Sequence, residues 1–104
     1  MDGSVTQITS VSTAVTLNVA CGRITTFNSA APGGTGFQFT VNNAAVDAES
    51  VIVANIVNYT GAYLTNGIPL LVIGNVVPGS FVFGIYNQGA NAFNGAFTIG
   101  FQCL

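Results

Sequence analysis

The sequence predicts an all-β protein, a single-domain antiparallel β-sandwich of about eight short strands in a jelly-roll-like arrangement. Apolar residues recur at every second position in several runs, which is the period of a half-buried strand. Turn-forming Gly, Pro and Asn residues separate these runs at intervals of about 8 to 12 residues. The 104 residues suit one domain, which we expect to span 1–104, with 1–10 as an N-terminal arm or edge strand.

The first part of the chain carries two strand patterns. Residues 5–8 suit a short strand or arm, and side chains then alternate in character over residues 11–19. Ile8 has the opposite parity, which predicts a bulge or bend directly after it. Residues 21–27 are rich in β-branched side chains, which favour an extended backbone.

The middle of the chain alternates between loops and strands. Residues 29–36 are rich in Gly and small residues and predict a loop, whereas residues 37–42 alternate apolar and polar side chains, as in a half-buried strand. Residues 43–49 are the only stretch suited to a helical turn. Residues 50–57 are apolar on both faces, which predicts a strand in the middle of a sheet, covered on both sides.

An Asn-Gly pair lies between the next two apolar runs. Asn66 and Gly67 separate residues 59–64 from residues 68–77, and both residue types tolerate positive φ. We therefore expect a hairpin between these runs. Pro69 lacks a backbone donor, so it belongs at the start of its strand or on a sheet edge.

The rest of the chain is organised around two strands near the C-terminus. A Pro78-Gly79 turn precedes the first of them, and Asn94-Gly95 opens the second. The residues expected to share a face are Phe81, Phe83 and Ile85 in one strand and Phe97, Ile99 and Phe101 in the other. Paired antiparallel, the two strands would form an apolar plate that the remaining strands must cover.

Charged residues are nearly absent. Only Arg23, Asp2, Asp47 and Glu49 carry formal charge, 4% of the chain where about a quarter is usual. One basic residue cannot neutralise a run of phosphates, so nucleic-acid binding is not expected. Because charge keeps protein surfaces apart in solution, we expect much of this surface to be covered by identical copies or by a larger assembly.

The side chains that carry most enzyme chemistry are also missing. The chain has no His and no Lys, and none of its Ser, Thr and Tyr residues has a candidate activating base. We therefore expect no enzyme activity, no catalytic residues, no cofactor and no metal site. Two cysteines without a histidine cannot complete an ordinary zinc site.

Three weak motifs each have a structural explanation that is favoured over the functional one. Asp47 and Glu49 suggest a calcium or acid–base site, but calcium usually needs six or more oxygens, and a solvated turn explains the pair. Residues 33–36 suggest a phosphate loop, but no helix and no lysine follow, which favours a strand connection. Residues 58–60 match the glycosylation pattern, a chance match in a chain without a secretory signal.

Three aromatic residues lie at loop ends, where two roles are open. Phe93, Tyr59 and Tyr63 could anchor a partner or stack on a sugar ring, or they could fold back to close the end of the sandwich. The second role is favoured. Arg23, the only cation, is expected to bond a carboxylate of its own chain or of a neighbour.

The cellular compartment of the protein determines whether its two cysteines are expected to form a disulfide. The N-terminus lacks the pattern of a signal peptide, and the longest apolar run, residues 68–73, contains Pro69 and is far too short to span a membrane. We expect neither membrane insertion nor secretion. Cys21 and Cys103 could pair, but buried free thiols are favoured for a protein assembled in the cytosol.

The sequence also resembles a known group of proteins. The segments that carry the resemblance are Gly22–Thr26, Phe39–Asn43, Val46–Val53, Gly67–Pro69, Pro78–Phe81 and Asn94–Gly95. They are similar to small all-β virion proteins of tailed bacteriophages, and the similarity runs along nearly the whole chain. The shared features are strand and turn patterns, none of them a reactive motif, and neither cysteine is part of them.

The resemblance implies a structural role on the virion, assembled in the host cytoplasm. The expected protein is a head decoration (cement) protein, commonly a homotrimer, that binds the major capsid protein or another virion protein. The alternative is a fibre module or a receptor- or carbohydrate-binding module on the virion surface. The resemblance brings no catalytic residues.

Overall fold

The computed structural model of the protein describes residues 3–104, which form strands joined by turns and loops. The strands are β1 (Ser4–Thr6), β2 (Val15–Thr16), β3 (Cys21–Thr25), β4 (Gly36–Asn42), β5 (Ile52–Tyr59), β6 (Pro69–Val77), β7 (Ser80–Asn87) and β8 (Phe97–Cys103). They form two four-stranded sheets, which confirms the predicted all-β sandwich of about eight strands.

The chain passes repeatedly between the two sheets. The first sheet has the order β1-β3-β8-β5 and the second has the order β2-β4-β7-β6. Only β6 and β7 are consecutive strands of one sheet. Four pairings are antiparallel, whereas β1 pairs parallel with β3 and β2 pairs parallel with β4. Parallel pairing needs a crossover connection, and here the intervening strand in the other sheet supplies it. The sequence did not predict these two parallel edge pairs.

The core lies between β7 and β8, the long inner strands of the two sheets. The two predicted apolar faces are correct, and every member of them is buried: Phe81, Phe83, Ile85, Phe97, Ile99 and Phe101. The predicted pairing of these strands is wrong, because β7 pairs with β4 and β6 while β8 pairs with β3 and β5. The two faces therefore cover each other across the sandwich, with the rings of Phe81 and Phe101 5.8 Å apart.

Strand β5 lies at an edge, which corrects the prediction of a central strand covered on both sides. Only its inner side chains pack against the core, whereas Val53 and Val57 on the outer face are 51% and 46% exposed. The first sheet ends at β5, and within residues 3–104 no strand lies beyond it. An apolar outer face on an edge strand is unusual, because such faces are normally solvated and polar.

Residues 11–19 form much less strand than their alternation predicts. Inward positions of this range do turn toward the core, but only the residues of β2 pair with a neighbouring strand. The chain bends just after β1, as expected, because the buried side-chain amide of Gln7 donates to the carbonyls of Val11 and Thr13, each at 2.9 Å. These two hydrogen bonds take the place of continuous strand pairing in this segment.

One predicted turn is confirmed and the predicted Asn-Gly hairpin is wrong. Pro78 and Gly79 form the β6–β7 turn, with Gly79 at a φ of 88°. The amide of Leu64 donates to the carbonyl of Gly67 at 3.0 Å, but β5 and β6 belong to different sheets, so this turn is part of a crossover. Leu64 and Gly67 take the positive φ values, and Asn66 does not.

Residues 43–49 form two tight turns instead of the single helical turn to which their sequence is suited. The side-chain carbonyl of Asn43 accepts a hydrogen bond from the amide of Ala45, and a carboxylate oxygen of Asp47 accepts one from the amide of Glu49, both at 2.9 Å. Asn and Asp offer the backbone this alternative to a helix, which explains the difference.

Candidate interaction surface

The two sides of the sandwich are built differently. On one side the edges are β1 and β2, which have three and two residues. On the other side β5 lies over β6, and these edge strands have eight and nine residues. We call this second side, formed by β5 and β6, the open side. Short strands blunt an edge against further pairing, so only the open side offers long unpaired strands.

The open side is apolar and carries no charge. Neither β5 nor β6 contains a charged residue. Its exposed large apolar side chains are Val53 and Val57 from β5 and Leu70, Val72 and Val77 from β6, with Val51 directly before β5. Proteins usually protect long edge strands with Lys, other charges or Pro, and here only Pro69 serves that purpose. Long, uncharged edge strands with exposed apolar side chains mark an interaction surface.

Backbone groups on β5 are free at every second residue. Val51 and Leu104 exchange two hydrogen bonds, at 3.1 and 2.9 Å, just before β5 and after β8. Along an antiparallel ladder, residue pairs that exchange two hydrogen bonds alternate with pairs that exchange none. Counting in steps of two from Val51, Val53 and Asn55 therefore also direct their amide and carbonyl groups toward β8. The groups of the intervening residues 52, 54 and 56 therefore point away from the sheet, where a further strand could bind them.

Each outer face carries a shallow groove floored by a glycine of an inner strand. On the second sheet the groove of about 460 Å³ lies over Gly84 of β7, between Gln38 and Val72. On the first sheet a groove of about 270 Å³ lies over Gly100 of β8. Arg23 and Cys21 line this second groove, so the only Lys or Arg of the chain lies on an outer face.

The loop aromatics divide between the two predicted roles. Phe93 and Tyr59 are buried, at 2% and 6% exposure, and close the end of the sandwich against Phe97. Tyr63 is 54% exposed and touches Tyr59 edge-on, with ring centroids 5.5 Å apart. Of the three, only Tyr63 is available to a partner or a sugar.

Two of the three weak motifs lie in structures of the kind that their structural explanations predict. Asp47 and Glu49 lie on an exposed turn, and in residues 3–104 no three His, Cys, Asp or Glu side chains come together as a metal site requires. Residues 33–36 connect strands, and β4, not a helix, begins at their end. Gly33 is needed for packing, because a Cβ atom there would lie 2.3 Å from the carbonyl oxygen of Gly89.

Cys21 and Cys103 are free thiols, as favoured, although both are half-buried and not buried. Cys21 lies opposite Gln102 in the β3–β8 ladder, so its side chain shares the outer face with that residue. Cys103 is the next residue and therefore points inward, with its Sγ 3.6 Å from the carbonyl oxygen of Ala45. The two thiols lie on opposite faces of one sheet, which prevents a disulfide without backbone movement.

Sequence reasoning missed the open side and the buried amides that hold the loops. Asn87 is fully buried, and its side chain donates to the carbonyls of Ala31 and Asn91 and accepts from the amides of Ile68 and Gly89. A scan for charged and nucleophilic residues passes over neutral amides. The abundance of Asn in a chain almost free of charged residues was the sequence signal that could have indicated these buried amides.

Comparison with known proteins found no match: no family model, no curated protein and no solved structure matches the chain. Among residues 3–104, no helix has the length and apolar character needed to cross a bilayer.

Proposed function

We propose that the chain is a non-enzymatic structural protein of a virion, a head decoration (cement) protein that self-associates and stabilises the capsid. The observation that carries this proposal is the open side, where two long, uncharged edge strands expose apolar side chains. The sequence resemblance to small virion proteins of tailed phages points to the same role. The partners would be copies of the chain itself and the major capsid protein.

The open side suits a permanent contact better than a transient one. Full burial of one Val or Leu side chain is worth about 1.5 to 3 kcal/mol, so covering half-exposed residues contributes roughly half of that for each. Val53, Val57, Leu70 and Val72 are each between 43% and 51% exposed. Obligate interfaces are more hydrophobic than transient ones, and the apolar, uncharged strands of the open side have that character.

The rest of the molecule suits a rigid building block. Buried, hydrogen-bonded amides such as Asn43 and Asn87 tie loops together at the two ends of the sandwich. In residues 3–104, no buried side-chain nitrogen or oxygen lacks a hydrogen-bond partner. A stiff unit loses little conformational entropy on binding, so each copy would add its contact energy to the capsid with little loss.

The test is cryo-electron microscopy of virions produced with and without this protein. The proposal expects density for the sandwich on the outer surface of the head in the complete particle only. Heads that lack it should lose DNA at a lower temperature than complete heads. Heads with unchanged density and unchanged heat resistance would refute the cement role.

A fibre or carbohydrate-binding module is the second candidate, and Tyr63 is the observation that favours it. Its ring is 54% exposed and held edge-on against Tyr59, as a sugar-stacking residue would be. Tyr63→Ala should abolish binding on a glycan array if this role is correct. Phe93→Ala cannot serve as the test, since Phe93 is buried and its loss would disturb folding.

A further inference from the structure

We infer that β5 pairs with β5 of a second copy, antiparallel and about a twofold axis at Ala54, so that the first sheets of two protomers form one continuous sheet. The inference rests on the proposed self-association and specifies its geometry. It follows from the free backbone groups of β5, from the symmetry of its sequence, and from the properties of the other edges.

The free backbone groups fit a twofold contact centred on Ala54. The amide and carbonyl groups of Ile52, Ala54 and Ile56 point away from the sheet, as the β5–β8 ladder requires. If Ala54 faces Ala54 of the second copy, Ile52 faces Ile56 of that copy, and each pair exchanges two hydrogen bonds. The contact then forms about six hydrogen bonds and leaves no free group in the segment.

The sequence of this segment is nearly the same in both directions. Residues 51–57 read Val-Ile-Val-Ala-Asn-Ile-Val, so Val51 matches Val57 and Ile52 matches Ile56 about Ala54. Only the Val53 and Asn55 positions differ. In a twofold pairing each Ile52 meets Ile56 of the other copy across the inner face, and the two Ala54 side chains meet on the axis. This symmetry favours a second copy over an unrelated strand.

Charge also favours a second copy. Like charges that lie close together across paired strands oppose pairing, and near a twofold axis a charge on β5 would lie close to the same charge of the second copy. The strand has none. Copies of this chain can therefore approach along β5 without repulsion between charges on this strand, and each exposed Val53 gains Asn55 of the second copy as a neighbour.

The other edges are less suited to strand pairing. β6 begins at Pro69, which has no amide hydrogen, and its pairing with β7 becomes irregular between Gly74 and Val77, where Asn75 has a φ of 52°. β1 and β2 are too short to offer a ladder. β5 pairs regularly with β8 as far as Ile56, and its own irregularity begins only after that residue.

The first test compares two variants of the full chain by sedimentation equilibrium. Val53→Lys and Val72→Lys introduce the same charge at positions of equal exposure, 51% each, on β5 and β6. Val53→Lys should raise the dissociation constant of the paired species about tenfold or more, because two lysines then lie beside the axis. Val72→Lys should leave it unchanged. Equal effects of the two variants would refute the inference, and thermal unfolding checks that both fold.

The second test is disulfide trapping in a chain that also carries Cys21→Ser and Cys103→Ala. Residues that face each other in such a pair have Cα atoms about 5.5 Å apart, within the range that a disulfide bridges. Ala54→Cys should form a covalent dimer on mild oxidation. Leu71→Cys, at a half-buried inward position of β6, is the matched control and should form no covalent dimer.

The outcomes separate this inference from the proposed function. Paired species, including two trimers joined as a hexamer, together with trapping at residue 54 support it. Only monomers, or only trimers without trapping, overturn it, while density on the virion head would still support the structural role.

Discussion

Tyr59 stacks on Phe97, its partner in the β5–β8 ladder, with ring centroids 4.3 Å apart and ring planes within 8° of parallel. The tyrosine hydroxyl donates to the carbonyl of Asn66 at 2.6 Å and accepts from the amide of Asn94 at 2.9 Å. One side chain thus joins the core to two loops. These loops close one end of the sandwich.

Tyr59→Phe should keep the stack and lose both hydrogen bonds. Because the carbonyl and amide that it leaves are partly buried, we expect the free energy of unfolding to fall by about 1 to 3 kcal/mol. Urea denaturation measures this. Tyr63→Phe is the control, since Tyr63 is exposed and its hydroxyl makes no hydrogen bond within residues 3–104; a loss as large as that of Tyr59→Phe would contradict the assignment.

Asn87→Asp tests the buried amide that connects three loops. The substitution preserves shape but removes the two donors to the carbonyls of Ala31 and Asn91, and it places a carboxylate against these oxygens in a fully buried site. We expect a loss of about 3 kcal/mol or more in the free energy of unfolding. The exposed Asn42→Asp should change it by less than about 0.5 kcal/mol. Similar melting curves for the two variants would show that the network is unimportant.

Gly67 and Gly79 allow the energetic cost of backbone strain to be measured apart from the cost of a steric clash. Gly67 and Gly79 have φ values of 92° and 88°, but a Cβ at Gly67 would lie 2.6 Å from the ring of Phe93, whereas a Cβ at Gly79 meets nothing within 4 Å. Gly79→Ala should cost about 1 kcal/mol from conformation alone. Gly67→Ala should cost about 1 to 3 kcal/mol more, because Phe93 must move. Chemical denaturation of both variants measures the difference, and equal losses would mean that the ring adapts freely.

The thiol geometry predicts that Cys21 and Cys103 do not form a disulfide in the folded protein. Arg23 is the only Lys or Arg in the chain, so trypsin cuts once, between the two cysteines. After mild oxidation, thiol blocking and unfolding, digestion should release residues 1–23 and 24–104 as separate fragments without reductant. Fragments that stay linked until reduction would contradict the opposite-face arrangement. Mass spectrometry distinguishes the two results.

The arrangement of the strands shows where sequence reasoning fails. The alternation in residues 37–42 and at Phe81, Phe83 and Ile85 predicted the inward faces correctly, since a two-residue period depends only on local backbone geometry. It did not show that the second face, at Phe97, Ile99 and Phe101, belongs to the opposite sheet. A strand's partner depends on distant parts of the chain, and one periodicity fits either arrangement.

The interaction surface was also only partly predictable from the sequence. The scarcity of charge predicted a covered surface, but residues 50–57 were placed in the middle of a sheet, because a strand apolar on both faces normally has neighbours on both sides. The structure places this strand at an edge, so the missing neighbour has to come from outside the chain in our proposal.

Local chemistry in the sequence by itself determined the all-β class, the inward positions of the strands, the Pro78-Gly79 turn and the shortage of reactive groups. Only the tertiary structure decided which strands pair, which edge stays open and on which face each cysteine lies. The physical reason is the distance along the chain over which each feature is decided. Periodicity and turn preference depend on neighbouring residues, whereas sheet order depends on how the whole chain buries its apolar surface.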